Sequence, residues 1–73
     1  MIDLKTSKAA SRLISLIHRP IRVWIRSTPE NTITGELDSF EFNSVPSILV
    51  VSTLHGFRIV NMQDISFIEE KLQ

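Results

Sequence analysis

The hydrophobic period changes once along the chain, at Pro20, and this change limits the possible folds more than any other feature. Before it, four apolar residues recur at i, i+3, i+4 and i+7, the spacing of one helical face: Ala10, Leu13, Ile14 and Ile17. Proline ends the helix, because it disfavours helical backbone angles in the residue before it. After it, apolar and polar residues alternate, which is the period of a half-buried strand. The sequence therefore predicts one helix followed by strands.

The predicted helix covers residues 7–18, with Ser7 as its N-cap, because a serine side chain accepts a hydrogen bond from a free N–H of the first turn. Five strands follow, each bounded by turn residues. They are predicted over residues 21–26, 32–42, 47–54, 57–61 and 65–69. No linker, repeat or low-complexity stretch interrupts the sequence, so a single domain over residues 1–73 is expected.

The second predicted strand changes its apolar phase partway along. Its first half places Ile33, Gly35 and Leu37 on one face. Beyond that point the apolar phase passes to Phe40 and Phe42. A slip of this kind near a strand glycine indicates a bulge or sharp bend. The expected fold is mainly β, in which the N-terminal helix precedes a strongly bent, five-stranded antiparallel sheet organised as a small open barrel.

The last three strands carry two further expectations. The continuous apolar run at the start of residues 48–53 predicts a third strand buried on both faces. His55-Gly56 predicts a tight hairpin connection, since glycine supplies the positive φ that such turns need. The fourth and fifth strands would be the unpaired edges of the open sheet, so we expect another chain to cover them.

Charge is unevenly distributed along the 73 residues, although the formal net charge is zero. Residues 1–27 carry six Lys and Arg against one Asp, a net of +5. Residues 28–73 carry two basic side chains against seven acidic ones, a net of −5. Either the basic segment folds back over the acidic one, or it offers a basic face to a partner. The neutral total disfavours a nucleic-acid binder held mainly by phosphate neutralisation.

The sequence offers little for catalysis, and we expect neither an enzyme nor a cofactor or metal site. The chain has no cysteine, which excludes disulfides and thiolate zinc. His18 is expected in the last helical turn, where imidazole can cap free carbonyls, and His55 in a hairpin turn. Glu36, Asp38 and Glu41 are interpreted as a solvated strand face rather than an acid/base pair.

Two surfaces have a possible binding role. The stripe Arg22, Trp24 and Arg26 on the first strand could stack bases and neutralise phosphates, could anchor a protein partner, or could simply pack under the helix. The polar loops 43–47 and 61–64 are expected to project to the same rim.

Four segments in order resemble the Sm/LSm family over nearly the whole chain. They are Ile21-Arg22-Val23, Gly35 to Glu41 as the Gly-x-Leu-x-x-Phe-Asp segment, Ile48-Leu49-Val50, and Val60 to Ile68 as the second Sm segment. The resemblance implies a helix stacked on a bent five-stranded sheet, with the fourth strand of one subunit pairing with the fifth strand of the next. Six apolar residues would then form the partner-binding edges: Phe57, Ile59, Val60, Ile65, Phe67 and Ile68.

The RNA-binding positions of the family are altered here. Asn61-Met62 stands where RNA-binding Sm rings have an Arg-Gly pair, and Asn43 is displaced from the position before the third strand. Sm-like chains that lack this site usually serve as assembly subunits, and the segment from Ser44 to Gly56 resembles the third-strand region of an Sm-fold Gemin subunit of the survival-of-motor-neuron complex. This implies a non-catalytic subunit, in cytoplasm and nucleus, that pairs with another Sm-fold protein in spliceosomal small nuclear ribonucleoprotein assembly, with RNA contact indirect.

Two alternatives stay open. In an RNA-binding LSm ring, Asn43, Asn61 and Arg58 would line the pore, with the first-strand stripe as a secondary surface. The chain could also be an Sm-like auxiliary subunit of an N-terminal acetyltransferase complex. The longest apolar run is four residues, so no membrane span is expected.

Overall fold

A computed structural model, which describes residues 8–71, consists of one helix and five antiparallel strands. Helix α1 spans Ala9–Leu16. The strands are β1 (Pro20–Ile25), β2 (Thr32–Glu41), β3 (Ile48–Thr53), β4 (Gly56–Asn61) and β5 (Ile65–Glu70), with a short 3-10 helix at Met62–Asp64. Every strand boundary lies within one residue of its prediction, and the helix is two residues shorter at each end. Ser7, the predicted N-cap, lies outside the described residues.

The five strands form a single sheet in the order β4-β3-β2-β1-β5. The sheet is not closed into a barrel, because β4 and β5 lie at opposite ends of that order. This confirms the predicted mainly β architecture, with one helix before a five-stranded antiparallel sheet. No helix within residues 8–71 is long and apolar enough to cross a membrane.

Helix α1 buries a different face from the predicted one. Ala9, Leu13 and Leu16 point into the core, whereas Ala10 is exposed and Ile14 is 63 % exposed. Apolar residues occupy both sides of this two-turn helix, so their spacing alone does not select the buried side. The route of the following segment onto the sheet selects it instead.

The segment after α1 turns sharply and is hydrogen-bonded to β2. His18 lies beyond the helix end in the left-handed region, with φ 66°, so the prediction of a histidine in the last helical turn is wrong. Its backbone N–H donates to the Leu37 carbonyl at 2.7 Å, and the Leu37 N–H donates to the Arg19 carbonyl at 3.2 Å. The helix ends before Pro20, which is the first residue of β1.

Strand β2 has different neighbours along its two halves. Residues 32–36 pair with β1, and residues 36–41 pair with β3. The register with β3 shifts between Leu37 and Ser39, which confirms the predicted irregularity. At Gly35 the two strands lie so close that a Cβ atom would overlap the Ser52 carbonyl oxygen. The glycine therefore permits the bend by leaving room for the neighbouring backbone.

The core lies between α1 and one face of the sheet. Its eight largest fully buried side chains are Leu13, Ile21, Val23, Leu37, Leu49, Val51, Ile65 and Ile68. Strand β3 alternates, with Leu49 and Val51 buried and Ile48 and Val50 half-buried, so the prediction of burial on both faces is wrong. Within residues 8–71 only one face of this strand is packed against the core, and its other face is left partly open.

The β3–β4 hairpin turns one residue earlier than predicted. Its two-residue loop is Leu54–His55, and Gly56 is already the first residue of β4, with φ 111°. The Thr53 hydroxyl accepts a hydrogen bond from the His55 N–H at 3.1 Å and donates one to the Gly56 carbonyl at 2.7 Å. His55 is exposed at this turn, as expected.

Candidate interaction interface

Strand β4 is an open edge with an apolar surface. It pairs with β3 through six consecutive residue pairs without a bulge, and its other side has no paired strand within residues 8–71. Five of its six residues are exposed, and the two large apolar ones, Phe57 and Ile59, are 67 % and 69 % exposed. Its one charged residue is Arg58. An uninterrupted edge with apolar side chains is a template for pairing with another strand.

Strand β5, the opposite edge, has no residue in the exposed class. Ile65 and Ile68 are both buried in the core although they are three residues apart. The register shift opposite Trp24 and Ile25 leaves one β5 residue unpaired, and this turns both isoleucine side chains to the same side of the sheet. Phe67 points to the other face, where its ring packs against Trp24 with centroids 5.3 Å apart. The two strands at the ends of the sheet thus differ in how much side chain they expose.

The six predicted partner-binding residues fall into two groups. Phe57 and Ile59 are open to solvent, and Phe67 is half-buried. The other three are core residues, with exposed fractions of 7 % or less: Val60, Ile65 and Ile68. They can serve an edge interface through their backbone only, since their side chains are packed inside their own subunit.

The carboxylates of β5 are occupied by basic groups from the N-terminal half of the chain. Glu69 accepts a hydrogen bond from the Trp24 indole N–H at 3.2 Å and lies 3.8 Å from an Arg22 guanidinium nitrogen. Arg19 pairs with Glu70. The basic segment therefore lies against part of the acidic one, as in the first of the two alternatives drawn from the charge pattern.

The predicted stripe of Arg22, Trp24 and Arg26 is brought together on β1 and the residue after it, but much of it is already engaged. Trp24 packs on β5 rather than under the helix. The Arg26 guanidinium donates to the Ile65 carbonyl at 3.2 Å. The buried Arg22 Nε has no hydrogen-bond partner among the described residues. These contacts leave less free cationic surface than the sequence pattern indicated.

The two polar loops lie side by side, as predicted. The Met62 N–H donates to the Ser47 carbonyl at 2.9 Å, which joins the loop before β3 to the loop after β4. Asn61 and Arg58 line a groove of about 450 Å³ between β4 and the β1–β2 turn, whereas Asn43 does not. The Asn61 side chain accepts a hydrogen bond from the Gln63 N–H at 2.9 Å, so its oxygen caps the 3-10 helix.

Three acidic side chains of β2 have no basic partner within residues 8–71. Glu36, Asp38 and Glu41 lie more than 4.0 Å from every Lys and Arg side-chain nitrogen in the described part of the chain. Register places Glu36 opposite Ser52 and Glu41 opposite Ile48, on the face away from the core. The alternation of β2 predicts a solvated face here, but it does not show that these residues lie beside the apolar residues of the neighbouring strands. That relation depends on strand register.

Compared with known proteins, the chain matches no family model, no curated protein and no solved structure. The functional assignment therefore rests on its sheet edges, its outer face and its sequence motifs.

Proposed function

We propose that this chain is a non-catalytic Sm-like assembly subunit, which pairs with another Sm-fold protein by strand addition at β4. The observation that carries the proposal is the open, apolar β4 edge with Phe57 and Ile59 exposed. Strand addition would satisfy the free backbone groups of this edge and remove both side chains from water.

The contrast with β5 supports β4 as the docking edge. Natural sheets blunt their edges with bulges and charged residues, and β5 has a register shift and two glutamates near its end. Strand β4 has neither a bulge nor an acidic residue. A partner at β4 therefore gains apolar contacts without displacing the internal ion pairs that hold β5.

The Sm-like assignment is supported by two features of the bent strand. Gly35 and the register shift after Leu37 both fall in the segment that resembles the first Sm motif. The strand order also leaves β4 and β5 as free edges, as the resemblance implies. The role we propose is in the survival-of-motor-neuron complex, in cytoplasm and nucleus, during assembly of spliceosomal small nuclear ribonucleoproteins.

The test is co-purification of the endogenous protein in wild-type and variant form, read by mass spectrometry. Ile59→Lys places a charge on the open edge and is expected to lose an Sm-fold partner. Leu54→Lys is the matched control, because Leu54 is also apolar and fully exposed but lies in the hairpin turn. Equal recovery of that partner with both variants, or recovery of no Sm-fold protein with the wild type, would contradict the proposal. Acetyltransferase subunits in its place would favour the auxiliary-subunit alternative.

A second candidate, an RNA-binding ring subunit, is favoured by one observation: Arg58 and Asn61 line the same groove. Its test is binding of a uridine-rich oligonucleotide by fluorescence anisotropy at several salt concentrations. Affinity that falls with rising salt and drops on Asn61→Ala would support it. Unchanged affinity in that variant would exclude a pore site built on Asn61.

A further inference from the structure

The face of the sheet opposite the core carries an apolar patch. Alternation along β3 and β4 turns four large apolar side chains to this outer face: Ile48, Val50, Phe57 and Ile59. Val50 and Ile59 are directly paired across the two strands. The patch is thus continuous across the hairpin rather than a set of isolated residues. Phe57 and Ile59 are exposed and Ile48 and Val50 are half-buried, and a contiguous apolar patch at the surface of a small protein favours an interaction there.

One margin of this patch is acidic. On the same outer face, β2 places Glu41 opposite Ile48, Ser39 opposite Val50 and Glu36 opposite Ser52. Asp64, Glu69 and Glu70 are engaged by Ser27, Trp24, Arg22 and Arg19, whereas the two β2 glutamates have no basic partner within residues 8–71. The unpaired negative charge therefore lies beside the unpaired apolar surface.

The backbone under the patch limits what can bind there. Strand β3 is hydrogen-bonded to β2 on one side and to β4 on the other, so a ligand on this face meets side chains only. A helix suits such a face, because its own backbone groups are satisfied internally and its apolar stripe can form a second layer on the sheet.

We propose that the outer face of β2, β3 and β4 binds an amphipathic, basic helix of a partner protein. The width from β2 to β4 is two strand spacings, about 10 Å, which matches the diameter of a helix. The β3 partners of Glu36 and Glu41 are Ser52 and Ile48, four residues apart, which is about 13 Å along a strand. Two basic residues seven positions apart lie on one side of a helix with a rise of about 10 Å between them, so their long side chains would reach both glutamates. This surface shares Phe57 and Ile59 with the β4 edge but extends over β3 to the glutamates of β2, and the inference does not depend on the edge pairing proposed above.

The test uses a fluorescein-labelled synthetic 18-residue peptide with a leucine face flanked by lysines, and the same peptide with glutamates in place of the lysines. The lysine peptide is expected to bind in an anisotropy titration, and the glutamate peptide at least tenfold more weakly. Amide shifts in ¹⁵N-labelled protein should map to residues 39–41, 48–52 and 57–59.

A matched pair of charge reversals tests the acidic margin. Glu41→Lys is expected to weaken binding of the lysine peptide about tenfold, since it replaces an attraction by a repulsion. Glu30→Lys changes the net charge equally but lies in the β1–β2 turn, and it should alter the affinity less than twofold. The amide spectrum of each variant verifies that it is folded, and both variants should retain any partner bound at the β4 edge.

Four results would overturn the inference. Equal weakening by both charge reversals would mean non-specific attraction, and equal binding of both peptides would exclude the acidic margin. Amide shifts confined to β5 and α1 would place the peptide elsewhere. Self-association of the unliganded chain that Glu41→Lys abolishes, read by light scattering, would make a second copy the occupant of this face.

Discussion

At the scale of single residues, Gly35 is the position with the least freedom to change. Its Cα faces the backbone of β3, where the Ser52 carbonyl occupies the space that any larger residue would need. The neighbour is main chain rather than a flexible side chain, so it can move only if the two strands separate. The close approach of β2 to β3 therefore depends on the absence of a single methyl group at Gly35.

We predict that Gly35→Ala destabilises the fold by about 1–3 kcal/mol, the range seen when extra volume is forced into packed structure. Urea unfolding followed by the fluorescence of Trp24, the single tryptophan, measures the change. Gly56→Ala is the comparison, because a Cβ there meets open space and the cost comes from the positive φ alone. A smaller loss at Gly35 than at Gly56 would contradict the steric explanation.

His18 carries a different kind of strain. It is the one non-glycine residue with positive φ in the described structure, and left-handed backbone costs an L-residue about 1–2 kcal/mol. Its backbone N–H is nevertheless bonded to Leu37, so the conformation is held by the contact between this segment and the bend of β2.

His18→Gly is expected to raise the free energy of unfolding by about 0.5–1 kcal/mol, because glycine adopts this conformation without the Cβ penalty. Ser11→Gly, at an exposed position inside α1, should lower it by about 0.5 kcal/mol through helix propensity. Thermal or urea unfolding of both variants gives the comparison. If His18→Gly destabilises the fold instead, the histidine side chain must stabilise the folded state by more than its backbone strain destabilises it.

At the scale of secondary-structure elements, α1 illustrates how a short helix can be found correctly and oriented wrongly. Leu13 has no exposed surface, while its neighbour Ile14 is mostly in water. The helix is attached to the sheet through Ile17, which bridges Leu37, and this attachment sets the rotation of α1 about its axis. Ala9, Leu13 and Leu16 then cover the core.

Leu13→Ala is predicted to cost about 2–5 kcal/mol, because it leaves a cavity in the core. Ile14→Ala should change the free energy of unfolding by no more than about 0.5 kcal/mol, as expected of a surface substitution away from packed structure. The two free energies of unfolding, measured under one set of conditions, decide which helical face is buried. Similar losses at both positions would mean that the face containing Ile14 is also covered.

At the scale of the whole molecule, the segregated charge is partly cancelled by the fold. Arg19 and Arg22 lie against Glu70 and Glu69 across the β1–β5 side of the sheet. The acidic residues of β2 lie on the strand next to β1, yet they have no basic partner within 4.0 Å among the described residues. The ion pairs of residues 8–71 therefore lie at β1 and β5, and the glutamates on the outer face of β2 stay unpaired.

Hydrogen exchange should distinguish the central strands of the sheet from its open β4 edge. In the isolated chain, amides of the central strands β1 and β2 are expected to exchange slowly, and those of β4 that point away from β3 to exchange at rates close to those of an open peptide. Binding of a strand at β4 should protect these amides selectively. Uniform protection of β4 in the isolated chain, at micromolar concentration, would mean that its edge is already covered.

The candidate interface was only partly predictable. Phe57 and Ile59 were expected at an edge because they alternate in a short strand before a turn, and the structure leaves both exposed. Ile65 and Ile68 looked equivalent in sequence but are core residues, because the shift beside Trp24 changes which side chains of β5 point inward. The extra residue at this shift is Ser66 of β5 itself, and the alternation of β5 alone does not mark it.

The sequence by itself determined the order and extent of the elements, since the change of period at Pro20, the turn residues and the phase slip near Gly35 are all local properties of the chain. It also placed the irregularity in the second strand. Only the tertiary structure decided which face of α1 is buried and which sheet edge is apolar and open. It also placed unpaired glutamates beside the apolar outer face of β3 and β4. These properties depend on register and on contacts between residues far apart in the chain, and local patterns do not encode them uniquely.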